Sequence, residues 1–130
     1  MKNYAVTIVW TIFIFIISTI PGNDIPKFDW ADLFKPDKIV HILVYGVLVF
    51  TFLRAYCRTH PNIRREELIK IGLIAAVIAS AYGWSLEFIQ ENFCQGRLFE
   101  VFDGIANTSG AFIFFGIFLW LRKNKKGETV

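Results

Sequence analysis

The sequence predicts an all-α membrane protein that folds as a bundle of four transmembrane helices. The chain has 130 residues, of which 55% are hydrophobic, and they include 14 Phe and 4 Trp. Its apolar residues form long uncharged blocks instead of the spaced stripes of soluble amphipathic helices. Four such blocks have the length of about 17 to 25 residues that a bilayer crossing requires. We expect them to form a single domain over residues 1–130.

The first predicted span covers residues 4–20, which carry no charge. A secretory signal peptide is the alternative interpretation, because Lys2 precedes the apolar run. No small-residue cleavage site precedes Pro21 and Gly22, which favours an uncleaved anchor. In the loop that follows, Phe28 and Trp30 stand among acidic residues, and this pattern indicates a short turn at the membrane interface.

The other three predicted spans cover residues 38–56, 68–89 and 101–121. Between the second and third spans, Asn62 is a candidate N-cap for a new helix. The third span is rich in Ala, Ser and Gly between residues 75 and 83. Small side chains let helix backbones approach closely in lipid, so we expect this helix to be the central packing partner.

The distribution of basic residues predicts the orientation and excludes one class of partner. Lys and Arg are dense in the loop between the second and third spans and in the tail after residue 121. Cytoplasmic ends of membrane helices carry this excess, so we expect both termini to face the cytoplasm. The net charge of +3 is then explained by these flanks, and no nucleic-acid partner is predicted. Cys57 and Cys94 fall at opposite ends of the bundle and form no Cys-x-x-Cys motif.

Polar side chains inside the spans are concentrated near the end that we expect to face outward. Each of three helices presents them at spacings of three or four residues, which places them on one face of each helix. The candidate ligand-binding residues are Lys38, His41, Tyr45, Glu87, Gln90, Arg97, Asp103 and Asn107.

The two acids decide how this group is interpreted. Taken alone, Lys38 is typical of an interfacial lysine and His41 of a hydrogen bond between helices. A carboxylate at membrane depth costs a few kcal/mol unless it is paired, so Glu87 and Asp103 are expected to face inward. Their predicted partners are His41, Lys38 and Arg97, and intramembrane acids of this kind favour a functional site.

At these residues the chain resembles the VanZ-like family of small membrane proteins, which is named for a protein associated with teicoplanin resistance. The resemblance covers about half of the chain and lies in three motifs in the same order on the same helices. They are Asp37-Lys38-x-x-His41-x-x-x-Tyr45, Glu87-x-x-Gln90, and Gly96-Arg97-x-Phe99-Glu100-x-x-Asp103-x-x-x-Asn107-x-x-Gly110. The resemblance implies a role in the cell envelope and a place in the bacterial cytoplasmic membrane.

The leading functional hypothesis is a pocket that recognises the headgroup of a membrane lipid or a lipid-linked wall precursor. Lys38 and Arg97 would contact anionic oxygens, and Glu87 and Asp103 would bind hydroxyl or amine groups. An enzyme acting on such a lipid is the alternative, with His41, Glu87 and Asp103 as its acid and base groups. A structural subunit bound to a membrane-protein partner is a third. No cofactor is predicted, and the presence of only one histidine, His41, among the candidate residues argues against a metal.

Overall fold

A computed structural model describes residues 2–20, 36–94 and 99–127, with side chains described within 2–20, 38–94 and 99–123. These residues form four helices, and no strand is present among them. They are α1 (Ala5–Thr19, preceded by a 3-10 turn at Lys2–Tyr4), α2 (Pro36–Thr59), α3 (Arg65–Phe93) and α4 (Val101–Gly127). Each is long and apolar enough to cross a membrane, which confirms the predicted four-helix bundle.

The local sequence explains where α2 begins and ends, and the start of α3 corrects one prediction. Pro36 begins α2, where its missing N–H leaves no helical hydrogen bond unmade, and α2 ends two residues before Pro61. The residue that precedes α3 is Arg64, which makes no side-chain cap. The prediction that Asn62 caps this helix is therefore wrong, because Asn62 lies in the turn after Pro61, where Ile63 N–H donates to His60 O.

The closest pair of helices is α2 and α4, which run in the same direction. Gly110 of α4 lies directly against the backbone of Ile42, and Gly46 of α2 lies against the ring of Phe114. A side chain at either glycine would overlap its neighbour, so both glycines allow the close approach of the two helices.

The expectation that α3 is the central packing partner is wrong, because its small residues have a different use. Gly72 accommodates the ring of Phe115, and Gly83 accommodates the side chains of Asn107 and Tyr45. The small face of α3 thus makes room for large side chains of α2 and α4 instead of bringing another backbone close.

Helix α1 packs at the edge of the bundle, and Ile14 is its one buried residue. Four side chains join it to its neighbours by hydrogen bonds to backbone carbonyls. One is Cys94, whose Sγ lies 3.6 Å from Thr19 O. Trp10 Nε1 donates to Val44 O at 2.9 Å, Tyr82 Oη to Thr11 O at 3.0 Å, and Gln90 Nε2 to Ser18 O at 2.9 Å. Each such bond in a membrane contributes about 0.6 kcal/mol on average, so α1 is held at several points along its length.

Candidate functional site

An ion pair joins the first turns of α2 and α4 at one end of the bundle. Lys38 Nζ lies 2.5 Å from Asp103 Oδ1 and 3.2 Å from Glu100 Oε2, and it stands 5.7 Å from the centre of the Phe102 ring. Asp103 is 6% exposed, whereas the Glu100 side chain is 52% exposed. The inner carboxylate is thus compensated by an ammonium group that remains partly accessible to water.

His41, one turn further along α2, joins Asp103 to the fully buried Asn107. Its Nδ1–H donates to Asn107 Oδ1 over 2.8 Å, and its Nε2 lies 3.7 Å from Asp103 Oδ2. A continuous chain of polar contacts therefore crosses from α2 to α4. It runs through Lys38, Asp103, His41 and Asn107, as the helical spacing predicts.

Glu87 brings the end of α3 into the same group, and its side chain is 3% exposed. One donor atom from each of His41, Glu87 and Asp103 lies within 4.8 Å of the others. An imidazole nitrogen and two carboxylates can act as acid and base groups, and they are also possible ligands of a divalent cation. Lys38, bonded to Asp103, already places one positive charge beside these carboxylates.

Tyr45 and Gln90 lie beside the ionic residues and not among them. Tyr45 is 3% exposed and packs with its ring centre 6.3 Å from that of Tyr82, while Gln90 is bonded to Ser18 of α1. Together with His41 they face a cavity of about 120 Å³ between α1, α2 and α3. The cavity has polar groups at its walls and lies next to the ionic group, so it offers space for part of a ligand.

We call Lys38, His41, Glu87, Asp103 and Asn107 the polar cluster. All five are among the predicted site residues, and the structure brings them together from three helices. Arg97, the remaining candidate, lies outside the described residues, as do Phe28 and Trp30. Glu100, the second partner of Lys38, is part of the third motif but is not among the predicted site residues, although its position three residues before Asp103 puts both on one helix face.

A comparison with known families identifies the family of this chain. A family model described as VanZ/LLP1 matches residues 3–122, which is nearly the whole chain. The chain belongs to the VanZ/LLP1 family. No curated protein and no solved structure gives a significant match. Membership of the VanZ/LLP1 family, together with four helices of spanning length, identifies a multi-pass membrane protein.

Proposed function

We propose that this VanZ/LLP1 protein lies in the bacterial cytoplasmic membrane and recognises the headgroup of an envelope lipid or a lipid-linked wall precursor. The observation that carries the proposal is the polar cluster, in which three helices bury charged side chains at one depth. Burying charge in a membrane protein is costly, and a ligand site is the usual reason for that cost. The cavity next to His41 offers space for part of a headgroup.

The charges of the cluster indicate which groups the ligand carries. Glu87 and Asp103 are acceptors for hydroxyl or ammonium groups. Lys38 is already bonded to two carboxylates, so an anionic group of the ligand would have to share it with them. Arg97 remains the predicted second contact for phosphate or carboxylate, since guanidinium suits both. A headgroup with both an acid and a hydroxyl or amine satisfies this set.

The proposed cellular role follows from the family. We propose that the protein contributes to teicoplanin resistance by moving, modifying or masking a lipid or wall precursor. Headgroup recognition is the step common to these three routes.

Binding to purified protein tests the proposal. Native mass spectrometry would compare phosphatidylglycerol, phosphatidylethanolamine, phosphatidylcholine and a polyprenyl-linked wall precursor on the wild type and on Glu87→Gln. We expect one lipid to be preferred, and Glu87→Gln to reduce its binding about tenfold, as for a lost hydrogen bond to a charged group. Glu91→Gln, an exposed change of the same charge on α3, is the control. Equal binding of every lipid to all three proteins would contradict the proposal and favour a structural role for the cluster.

An enzyme is the second candidate, and the geometry of His41 is the observation that favours it. The ring is oriented by Asn107 at Nδ1 and has a carboxylate 3.7 Å from Nε2, an arrangement suited to a general base. Binding and catalysis respond differently to His41→Gln, because glutamine can still donate to Asn107 but cannot accept and release a proton.

We expect His41→Gln to reduce lipid binding and the resistance phenotype only in part. Lipid binding would be measured by native mass spectrometry and the phenotype by the teicoplanin concentration that stops growth. Complete loss of the phenotype with lipid binding intact would instead establish the enzyme interpretation.

A further inference from the structure

The end of the bundle opposite the polar cluster has an open cleft of about 610 Å³ between α2 and α4. Three arginines line it. Arg54 and Arg58 are four residues apart on α2, so they share a helix face, and Arg122 faces them from α4. Among residues 2–20, 38–94 and 99–123, no carboxylate forms an ion pair with any of the three. The cleft therefore concentrates positive charge that no described acid compensates.

The wall of the cleft below the arginines is aromatic. Phe50 stands one helical turn before Arg54, and Phe118 stands one turn before Arg122. The two rings meet edge to face with their centres 5.2 Å apart. Both phenylalanines lie within the spans, at the depth of lipid chains, whereas the arginines lie nearer the ends of the helices.

We propose that this cleft binds an anionic phospholipid, with the phosphate on Arg54, Arg58 and Arg122 and the start of the acyl chains against Phe50 and Phe118. The guanidinium group gives paired hydrogen bonds to phosphate oxygens, and basic pockets between membrane helices suit anionic headgroups. A soluble phosphate would use the arginines but would gain nothing from the aromatic wall below them. The arginines and the aromatic wall together therefore favour a phospholipid over free phosphate. The site is separate from the polar cluster and does not rest on the function proposed for it.

Spin-labelled lipids give a direct test. The full chain would be reconstituted in phosphatidylcholine bilayers with a trace of spin-labelled phosphatidylglycerol or phosphatidylcholine, and the relative association constant measured by electron paramagnetic resonance. We expect the wild type to prefer phosphatidylglycerol. The triple variant Arg54→Gln, Arg58→Gln, Arg122→Gln should lower its association about tenfold, as expected when charge-assisted hydrogen bonds are lost.

Two controls separate the cleft from the general charge of the protein. Arg64→Gln makes the same charge change at the same end of the bundle but does not line the cleft, and it should lower the association less than about twofold. Glu91→Gln, an exposed change at the opposite end and outside the polar cluster, should leave it unchanged. If the triple variant does not insert in bilayers, Arg122→Gln alone should still lower the association more than Arg64→Gln does.

Three results would overturn the proposal. The wild type could bind both labelled lipids equally, or Arg64→Gln could reduce the association as much as the cleft variants do. Excess inorganic phosphate could also displace the labelled phosphatidylglycerol completely while Phe50→Ala leaves its association unchanged, which would show that the aromatic wall contributes nothing and that the site is one for phosphate.

Discussion

At the scale of the residue, Lys38 connects two acids in different surroundings. Its Nζ contacts both Asp103 and Glu100, yet Asp103 is almost fully buried and Glu100 is half exposed. Water screens the outer pair, while the inner pair lies where an uncompensated charge is costly. Two carboxylates bonded to the same ammonium group should therefore differ in what they contribute to stability.

We predict that Asp103→Asn lowers the free energy of unfolding by about 2 kcal/mol, since it removes a hydrogen bond between charged groups in a buried place. Glu100→Gln is the matched change on the same lysine and should cost about 1 kcal/mol or less. Unfolding in detergent micelles, followed by helical circular dichroism, measures both. Equal losses in the two variants would contradict the unequal burial of the two pairs.

At the scale of the element, the contact between α2 and α4 determines whether the polar cluster forms. Both helices begin at the cluster, and Gly110 lets α4 lie against the Ile42 backbone, one residue from His41. The ion pair and the bond between His41 and Asn107 span this same interface. A change that separates the two helices should therefore reach the site.

We predict that Gly110→Ala destabilises the protein by about 1 to 3 kcal/mol, the usual cost of overpacking. The added Cβ would lie 2.7 Å from the Ile42 Cα, and backbone cannot move aside as a side chain can. Gly116→Ala on the same helix is the control, because nothing lies within 4 Å of its added Cβ.

Thermal unfolding measures both variants, and the alanine at position 116 should be neutral or stabilise α4 by up to about 1 kcal/mol. Native mass spectrometry of the preferred lipid should show weaker binding for Gly110→Ala alone. If Gly110→Ala unfolds at the wild-type temperature, the close approach of α2 and α4 is not required.

At the scale of the whole molecule, the two ends of the bundle have different charge. The polar cluster and Glu100 lie at one end, whereas the loop between α2 and α3 and the end of α4 carry Arg and Lys. Basic flanks remain in the cytoplasm, so we propose that the polar cluster opens on the opposite side of the membrane.

Cysteine labelling tests this orientation with two exposed asparagines at opposite ends. Asn62 lies between α2 and α3, and Asn92 lies in the last turn of α3. In a Cys57→Ser, Cys94→Ser background, we predict that Asn92→Cys reacts with a membrane-impermeant maleimide in intact cells. Asn62→Cys should react only after the membrane is opened. The reverse pattern would place the cluster on the cytoplasmic side.

The sequence by itself determined the four spans and the depth of the polar residues. Uncharged blocks of sufficient length must cross the bilayer, and alternating helix directions then place the start of α2, the end of α3 and the start of α4 together. Helical spacing put His41 with Tyr45, and Asp103 with Asn107, on single faces. The five residues of the polar cluster were predictable for these reasons.

Only the tertiary structure decided how the helices are rotated and which neighbours they touch. Lys38 pairs with Asp103 and Glu100, Gln90 bonds to Ser18 of α1, and α2 packs most closely on α4. These contacts join residues more than sixty positions apart, and they depend on where a glycine meets a backbone or makes room for a ring. Periodicity along one helix carries no information about the surface of another, because complementary packing is a property of the pair.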